Sequence, residues 1–231
     1  MELTVPIFAE WATKMKHMTK RITMALCGVC LTAIGIAILK TADLGIDPFS
    51  CLTLGMGRLT GLSYGTIFTI VTFVLTIGVL VVDRHYIGLS SIMNLLFTGI
   101  IADTALKFLH NWYPDPSIPA KLLLLCAALL VLCFGASLYF TADLGVSAYD
   151  AWALILTDRK LAPFRICRIG TDTVCTAAGL LMGIMPGIGT LIAAFGMGPI
   201  IELFNQKAAI PLLEKNWTFM RGAKIKPLSR P

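Results

Sequence analysis

One five-residue segment occurs twice in this chain, each time directly after a strongly apolar run. Residues 41–45 read TADLG, and the same letters return at residues 141–145, 100 positions later. Gly35 and Gly135 match at the same offset, and further matches follow at an offset of 99, at Gly88 and Gly187, Gly99 and Gly198, and Asp103 and Glu202. Similarity over most of both halves indicates an internal duplication, so we expect two similarly folded repeats.

The composition places this duplication in a lipid bilayer. Hydrophobic residues make up 57% of the 231 residues and charged residues 14%, against about 25% charged in soluble domains. Membrane-spanning helices need roughly 17 to 25 mostly apolar residues. Six segments meet this requirement, at about 22–39, 64–82, 88–109, 121–140, 166–185 and 188–206. None shows the alternation of a barrel strand, so the sequence predicts an all-α, polytopic membrane helix bundle of about six transmembrane helices.

Three spans per repeat is an odd number, so the second repeat is expected to enter the membrane from the opposite face. The repeats would then be inverted and related by a pseudo-two-fold axis in the membrane plane. The segments 46–60 and 146–157 leave an alternative open, because they are apolar as well. If both crossed the bilayer, the repeats would be parallel. Their length of about 12 to 15 residues favours interfacial or re-entrant segments instead.

Lysine and arginine are distributed unevenly between the two sides of this arrangement. With six spans, the side of the N-terminus receives 15 of the 19 basic residues, and the other side receives only Lys40, Arg58, Lys107 and Lys121. The positive-inside rule therefore predicts that both termini are cytoplasmic. The same asymmetry accounts for the pI of about 9.0, so no nucleic-acid partner is expected.

The chain divides into four predicted regions. Residues 1–20 are a basic, amphipathic cytoplasmic segment that lies on the membrane surface or is disordered, and residues 21–110 form the first membrane repeat. Residues 111–206 form the second repeat, and residues 207–231 are a basic cytoplasmic tail.

The repeated motif is typical of a corner between two helices. Gly45 and Gly145 occupy positions where a helix end favours a left-handed residue. Asp47 and Ser147 are good N-caps for a following helix, and Pro48 suits its first position. An alternative interpretation is functional, because a helix N-terminus attracts anions. Asp47 and Asp43 would oppose that attraction in the first repeat.

Charged residues in or beside the apolar segments are the candidates for a binding site. Arg168 and Asp172 are four residues apart on one helix face, where they either serve a site or neutralise each other. Asp103 and Glu202 occupy equivalent places in the third and sixth spans, as a functional carboxylate pair or as interfacial residues. The candidate solute-binding residues are Asp43, Asp103, Asp143, Arg168, Asp172 and Glu202.

No catalytic or metal-binding pattern is present in the sequence. The seven cysteines are an odd number scattered mostly through the spans, and the CxxC spacing of Cys27 and Cys30 inside an apolar helix indicates packing. Zinc motifs, phosphate loops and nucleophile elbows are lacking. We therefore expect no catalytic residue, cofactor or metal, and no enzymatic activity. Tyr139 and Phe140, which follow an uncharged run, suit a membrane interface.

A family resemblance rests on three segments. These are GIAILKTADLGIDP at residues 35–48, LSYG at residues 62–65, and the Gly88, Asn94, Gly99 and Asp103 pattern. The chain resembles the bacterial YczE/YyaS/YitT family of integral membrane proteins over roughly residues 20 to 206. The resemblance implies a small multi-pass protein of the bacterial inner membrane, in a family of largely undefined activity. Ala148 stands where the first half has Pro48, so any shared site would be asymmetric.

The architecture favours a small-solute transporter or permease-like protein with its site between the two repeats. The solute or ion itself is not indicated by any residue pattern. One alternative is a membrane scaffold or regulator that presents its basic terminal segments to a cytoplasmic partner. Another is a solute-binding subunit of a larger transporter. Assembly as a homo-oligomer is left open.

Overall fold

In a computed structural model, which describes residues 5–112 and 116–214, the protein is helical along nearly its whole length. The described residues contain no β-strand, and the expected all-α fold is confirmed. The helices are α1 (Val5–Ala42), α2 (Pro48–Thr60), α3 (Tyr64–Asp83), α4 (Leu89–Trp112), α5 (Ile118–Ala142), α6 (Ala148–Asp158), α7 (Phe164–Leu181), α8 (Ile188–Phe204) and α9 (Ile210–Glu214). A 3₁₀ turn follows α3, and a π-helical turn joins α8 to α9. Helices α1–α4 and α5–α8 are the two repeats.

Several of these helices are long and apolar enough to span a membrane. Within the described residues there are five, at Met18–Ala42, Tyr64–Tyr86, Leu89–Trp112, Ile118–Ala142 and Ile188–Leu213. They correspond to five of the six expected spans. Helix α7 is not among them, since its 18 residues include Arg165, Arg168 and Asp172. The chain is therefore a multi-helix membrane protein.

The two short segments after the repeated motif are helices that do not reach across a bilayer. Helices α2 and α6 have 13 and 11 residues, about 20 and 17 Å, against a hydrocarbon core of about 30 Å. Each packs against the third helix of the other repeat, α2 against α7 and α6 against α3. They are thus part of the contact between the repeats.

Helices α1 and α5 cross with their backbones in close contact. A Cβ atom on Gly28 would lie 2.7 Å from the carbonyl oxygen of Gly135, and one on Gly135 would lie 2.8 Å from the backbone nitrogen of Thr32. Further along α1, Gly35 meets Leu132 of α5. Later residues of α1 therefore meet earlier residues of α5, and the two helices run antiparallel.

Other contacts between the repeats occur in equivalent pairs. The backbone nitrogen of Gly189 donates to the carbonyl oxygen of Leu44 at 2.8 Å, and that of Ser90 donates to the carbonyl oxygen of Leu144 at 2.8 Å. Each corner therefore binds the start of the fourth helix of the other repeat. Two ion pairs repeat the pattern, Arg21 with Asp143 at 3.5 Å and Lys121 with Asp43 at 3.1 Å.

The corners follow the prediction at their N-caps. The Oδ2 atom of Asp47 accepts a hydrogen bond from the backbone nitrogen of Ser50 at 3.0 Å, and Pro48 occupies the first turn of α2. In the second repeat, the Oγ atom of Ser147 accepts from the backbone nitrogen of Asp150 at 3.1 Å. Both predicted N-caps are confirmed.

The ends of α1 and α5 differ from the prediction by two residues. The left-handed residues directly after these helices are Asp43 (φ 52°) and Asp143 (φ 53°), because a short polar side chain tolerates this conformation. Gly45 and Gly145 also have positive φ, at 118° and 95°. They are further constrained by space, since a Cβ on Gly145 would lie 2.4 Å from the backbone nitrogen of Gly88.

The helical backbone is continuous at two of the predicted boundaries between regions, after residue 20 and after residue 206. Helix α1 begins at Val5 and continues through residue 20, and the backbone beyond residue 206 continues through the π-helical turn into α9. The side chains of residues 1–17, on which the amphipathic prediction rests, and residues 215–231 of the tail lie outside the described part of the chain.

All seven cysteines are free, as the sequence indicated. Cys27 and Cys126 are exposed on the outer surface of the bundle and Cys30 is half-buried. The other four, Cys51, Cys133, Cys167 and Cys175, are buried.

The α1–α5 crossing predicts a position-dependent cost for adding one methyl group. Gly28→Ala should lower the free energy of unfolding by about 1–3 kcal/mol, because the new Cβ meets backbone atoms of Gly135 and Tyr139 within 2.9 Å. Gly198→Ala is the matched control, a helical glycine whose Cβ would meet nothing within 4 Å. There, alanine should be neutral or slightly stabilising. Thermal unfolding of the purified variants in detergent measures the difference, and equal stabilities would contradict the close crossing.

Candidate functional site

A cavity lies between the two repeats, and helices α1 to α8 all contribute side chains to it. The cavity has a volume of about 80 Å³ and is partly open to the exterior. Many lining residues occupy equivalent positions in the two repeats. Examples are Asp47 with Ser147, Phe49 with Tyr149, Phe68 with Arg168, and Thr72 with Asp172. The cavity is thus built by the duplication.

An arginine and two aspartates form a buried ionic network on the second-repeat side of the cavity. The Nη1 atom of Arg168 pairs with Asp150, and its Nε atom lies 3.4 Å from the Oδ1 atom of Asp172. Both aspartate side chains are 5% exposed. The guanidinium carbon of Arg168 also lies 4.7 Å from the ring centroid of Tyr149, a cation–π distance.

Hydroxyl groups complete the coordination of these two carboxylates. Tyr139 donates a hydrogen bond to Asp150 and Tyr149 donates one to Asp172. Ser147 donates a second hydroxyl bond to Asp150 at 2.7 Å. Charge-assisted hydrogen bonds of this kind are the stronger ones, and a fully paired buried network holds its members in fixed positions. The network therefore shapes this wall of the cavity.

On the first-repeat side of the cavity, some polar atoms have no hydrogen-bond partner in the described part of the chain. The Oδ2 atom of Asp47 caps α2, whereas its Oδ1 atom is buried and has no hydrogen-bond partner among the described residues. The hydroxyls of Thr72 and Thr98 are in the same situation. All three residues line the cavity. Buried polar atoms are nearly always paired, so these three atoms set this part of the cavity wall apart from the paired network on the other side.

Burial also affects the ionisation of Asp47. It raises the pKa of this carboxyl above its usual value, and the hydrogen bonds from Ser50 oppose that shift.

Aromatic rings from both repeats meet at the cavity wall. Phe49 and Tyr149, which are equivalent residues, stack with ring centroids 4.9 Å apart and an interplanar angle of 30°. Phe68 packs edge-on against Phe49 at 5.4 Å. Contacts between equivalent residues place this stack where the two repeats face each other.

The site is asymmetric, as the sequence predicted, but the asymmetry comes from residues other than Pro48 and Ala148. Arg168 and Asp172 of the second repeat replace Phe68 and Thr72 of the first. Asp150 likewise stands where the first repeat has Ser50. The ionic network therefore belongs to the second repeat alone.

Two of the six predicted site residues, Arg168 and Asp172, line the cavity. Asp43 and Asp143 do not, because the helix corners direct them outward. Their side chains are 80% and 83% exposed, and they form the two ion pairs with Lys121 and Arg21.

Asp103 and Glu202 are also absent from the cavity lining. The Oδ2 atom of Asp103 accepts a hydrogen bond from the backbone nitrogen of Gly65 at 3.0 Å, near the start of α3. Glu202 is exposed and accepts from the side-chain amide of Gln206 at 3.2 Å. Equivalent sequence positions thus have different local roles.

Several cavity residues were missed or assigned another role at the sequence level. Asp150 was not among the predicted site residues, and the signal for it was an aspartate within the apolar run that follows Ser147. Asp47 was assigned only to the corner, where it does cap α2. Tyr139 was expected at a membrane interface, but it is buried and donates to Asp150.

The sequence match to known proteins covers the whole of this site. Residues 19–206 match the family described as "Family of unknown function (DUF6198)". The chain belongs to this family. Every lining residue, from Thr32 to Ile201, falls within the matched range. No solved structure matches the chain at a significant level.

Similar proteins occur in two bacteria. The chain is 24% identical to the "Uncharacterized protein YyaS" of Bacillus subtilis over 190 residues, 82% of this chain and 92% of that protein. It is 22% identical to the "Uncharacterized membrane protein YczE" of the same organism, over 86% and 91% of the two chains. An "Uncharacterized protein" of Haemophilus influenzae is 22% identical over 83% and 87%. The expected resemblance to YczE and YyaS is confirmed.

The buried network predicts a large cost for losing its cation. Arg168→Met should destabilise the protein by about 3–5 kcal/mol, because it leaves Asp150 and Asp172 buried without a counter-charge. Arg21→Gln removes the exposed pair with Asp143 and should cost only about 0–1 kcal/mol. Thermal unfolding in detergent compares the two variants.

A compensating variant tests the cause of that loss. Arg168→Met combined with Asp150→Asn and Asp172→Asn removes the uncompensated charges and should recover part of the lost stability. Equal destabilisation by Arg168→Met and Arg21→Gln, or no recovery in the triple variant, would contradict the assigned network.

Proposed function

We propose that this protein is a non-enzymatic transporter of the bacterial plasma membrane that moves a small solute through the cavity between its two repeats. The observation that carries the proposal is the cavity itself, since all eight repeat helices line it and it holds both a buried ionic network and unpartnered polar atoms. Polar groups inside a membrane bundle are costly, and they are typical of substrate or ion pathways. The proposal involves no resident cofactor or metal.

The transporter has inverted repeats. The antiparallel crossing of α1 and α5 and the paired contacts between corners and fourth helices support a two-fold relation with its axis in the membrane plane. Helices α1, α3 and α4 span in one repeat and α5, α7 and α8 in the other. Helix α7 is the sixth span, and its Arg168 and Asp172 are accommodated because they line the cavity. Helices α2 and α6 are re-entrant.

Both termini are cytoplasmic in this arrangement. The positive-inside rule supports this orientation, because the basic residues of the two ends and of the α3–α4 and α6–α7 connections then share one side. Asp43 faces the outside and Asp143 the cytoplasm. Residues 1–20 and 207–231 contribute basic segments on the cytoplasmic side of the two membrane repeats.

Paired charges, among them Arg168 with Asp172, are in favour of the scaffold hypothesis. A scaffold is expected to pair its charged residues or to hold them at its surface, and Asp43 and Asp143 do both. A scaffold requires no polar cavity in its interior, however. A solute-binding subunit shares the cavity but needs access from one side of the membrane only. Access to the cavity therefore separates the three hypotheses.

Access can be measured with a cysteine at Met197, a partly exposed residue of the cavity lining. Met197→Cys should react with a small impermeant thiol reagent in right-side-out and in inside-out vesicles, because a transporter opens its site to each side in turn. Peptide mapping reads the modification at residue 197. Ser137→Cys is the control, since this residue is fully buried in α5 and should react in neither preparation. Reaction from one side only would contradict transport and favour a binding subunit, and reaction from neither would favour a scaffold.

A further inference from the structure

We infer that the cavity binds a small organic cation, with an ammonium group held by Asp47 and by the hydroxyls of Thr72 and Thr98. The inference rests on the proposed function of the same cavity and adds the chemical class of its solute. It follows from the charge of the lining, from its unpartnered atoms and from its aromatic rings.

The charge balance of the lining is negative. Among the described lining residues, Arg168 is the one cation, and the carboxylates are Asp47, Asp150 and Asp172. Arg168 already pairs with Asp150 and Asp172. Asp47 forms no ion pair with a described residue. With one cation and three carboxylates, the lining carries a net charge of −2 when its carboxylates are ionised.

A lysine near the cavity does not change this balance. Lys40 lies over the ring of Tyr64, 4.0 Å from its centroid, and its charge acts on both Asp103 and Asp47. Lys40 is not part of the cavity lining. If Lys40 and the neighbouring Asp103 are both included, their opposite charges cancel and the net charge stays at −2.

The helix N-termini at the cavity do not make an anion the better ligand. Helices α2 and α6 both begin there, and each N-terminus contributes about half a positive charge. Both N-termini are already capped. Asp47 accepts a hydrogen bond from the backbone nitrogen of Ser50 in α2, and Ser147 accepts one from the backbone nitrogen of Asp150 in α6. The sum is still negative, by about one charge, so an anion would meet repulsion and a cation attraction.

The unpartnered atoms specify a ligand that donates hydrogen bonds. Asp47 Oδ1 can only accept when the carboxylate is ionised, and an ammonium group offers several donors. The hydroxyls of Thr72 and Thr98, which are 3% and 0% exposed, can accept from the same group. A metal ion would also satisfy these oxygens. The aromatic rings favour the organic cation, because Phe49, Phe68 and Tyr149 offer apolar surface to its carbon atoms.

Two thiol reagents of similar size and opposite charge test the sign of the ligand. Met197→Cys is exposed to trimethylammonioethyl methanethiosulfonate, an organic cation, and to sulfonatoethyl methanethiosulfonate, an anion. Rates at residue 197 are measured by peptide mapping and are divided by the rates with a small free thiol. The cation should react faster than the anion by about tenfold or more, because a cleft of one charge sign concentrates counter-ions by that factor.

A matched pair of variants assigns the effect to Asp47. Asp47→Asn in the Met197→Cys background should bring the ratio several-fold closer to one, and asparagine keeps the N-cap of α2. Asp43→Asn removes the same charge from the same corner but lies outside the cavity, so the ratio should stay unchanged.

The outcomes distinguish this inference from the proposed function. A ratio of one or an excess for the anion would overturn the cation assignment and leave an accessible solute cavity in place. A ratio unaffected by Asp47→Asn would overturn the role of Asp47. Reaction with neither reagent, at a residue that reacts after denaturation, would overturn both the inference and the proposed transport.

Direct stabilisation of the purified protein by tetramethylammonium, and not by sodium at equal concentration, is the expected result that separates an organic cation from a metal ion.

Discussion

The close approach of the α1 and α5 backbones determines how the two repeats are arranged. Small residues at the crossing, Gly28 and Gly135, let the helices meet without intervening side chains. Such contacts are the main source of helix association in lipid, where no hydrophobic force acts between helices. The antiparallel crossing brings each repeated corner beside the other repeat. The reciprocal hydrogen bonds and ion pairs between corners and helix starts follow from this placement.

The same crossing leaves room for a polar interior. The short helices α2 and α6 begin at the inner wall and pack against α7 and α3, and they bring their capped N-termini to the cavity. The second repeat then supplies an ionic network, whereas the first supplies oxygens that have no hydrogen-bond partner among the described residues. One side of the cavity is thus held in place by its own residues, and the other side keeps polar atoms that no described residue pairs. Duplication followed by divergence explains how one fold provides both walls.

Local signals predicted much of the fold correctly. The apolar runs, the TADLG repeat, and the caps Asp47 and Ser147 depend on neighbours within a few residues, so the sequence contains what determines them. The predicted glycines do have positive φ, but the left-handed residue directly after each helix is an aspartate two residues earlier. The predicted site was less accurate. Asp43 and Asp103 were selected for lying beside or within apolar runs, but burial of a charge is decided by partners distant in sequence. Asp150 was missed for the same reason, as its cation lies 18 residues away on another helix.

The central claim is that the repeats are inverted, so that equivalent corners lie on opposite sides of the membrane. Asp43 and Asp143 are well-matched positions for testing it, because their side chains are 80% and 83% exposed. Asp43→Cys and Asp143→Cys are compared in a variant with Cys27, Cys30 and Cys126 replaced by alanine, since the other cysteines are buried. With an impermeant thiol reagent on intact bacterial cells, the account predicts labelling at residue 43 and none at residue 143. Labelling of both positions, or of neither, would contradict inverted repeats.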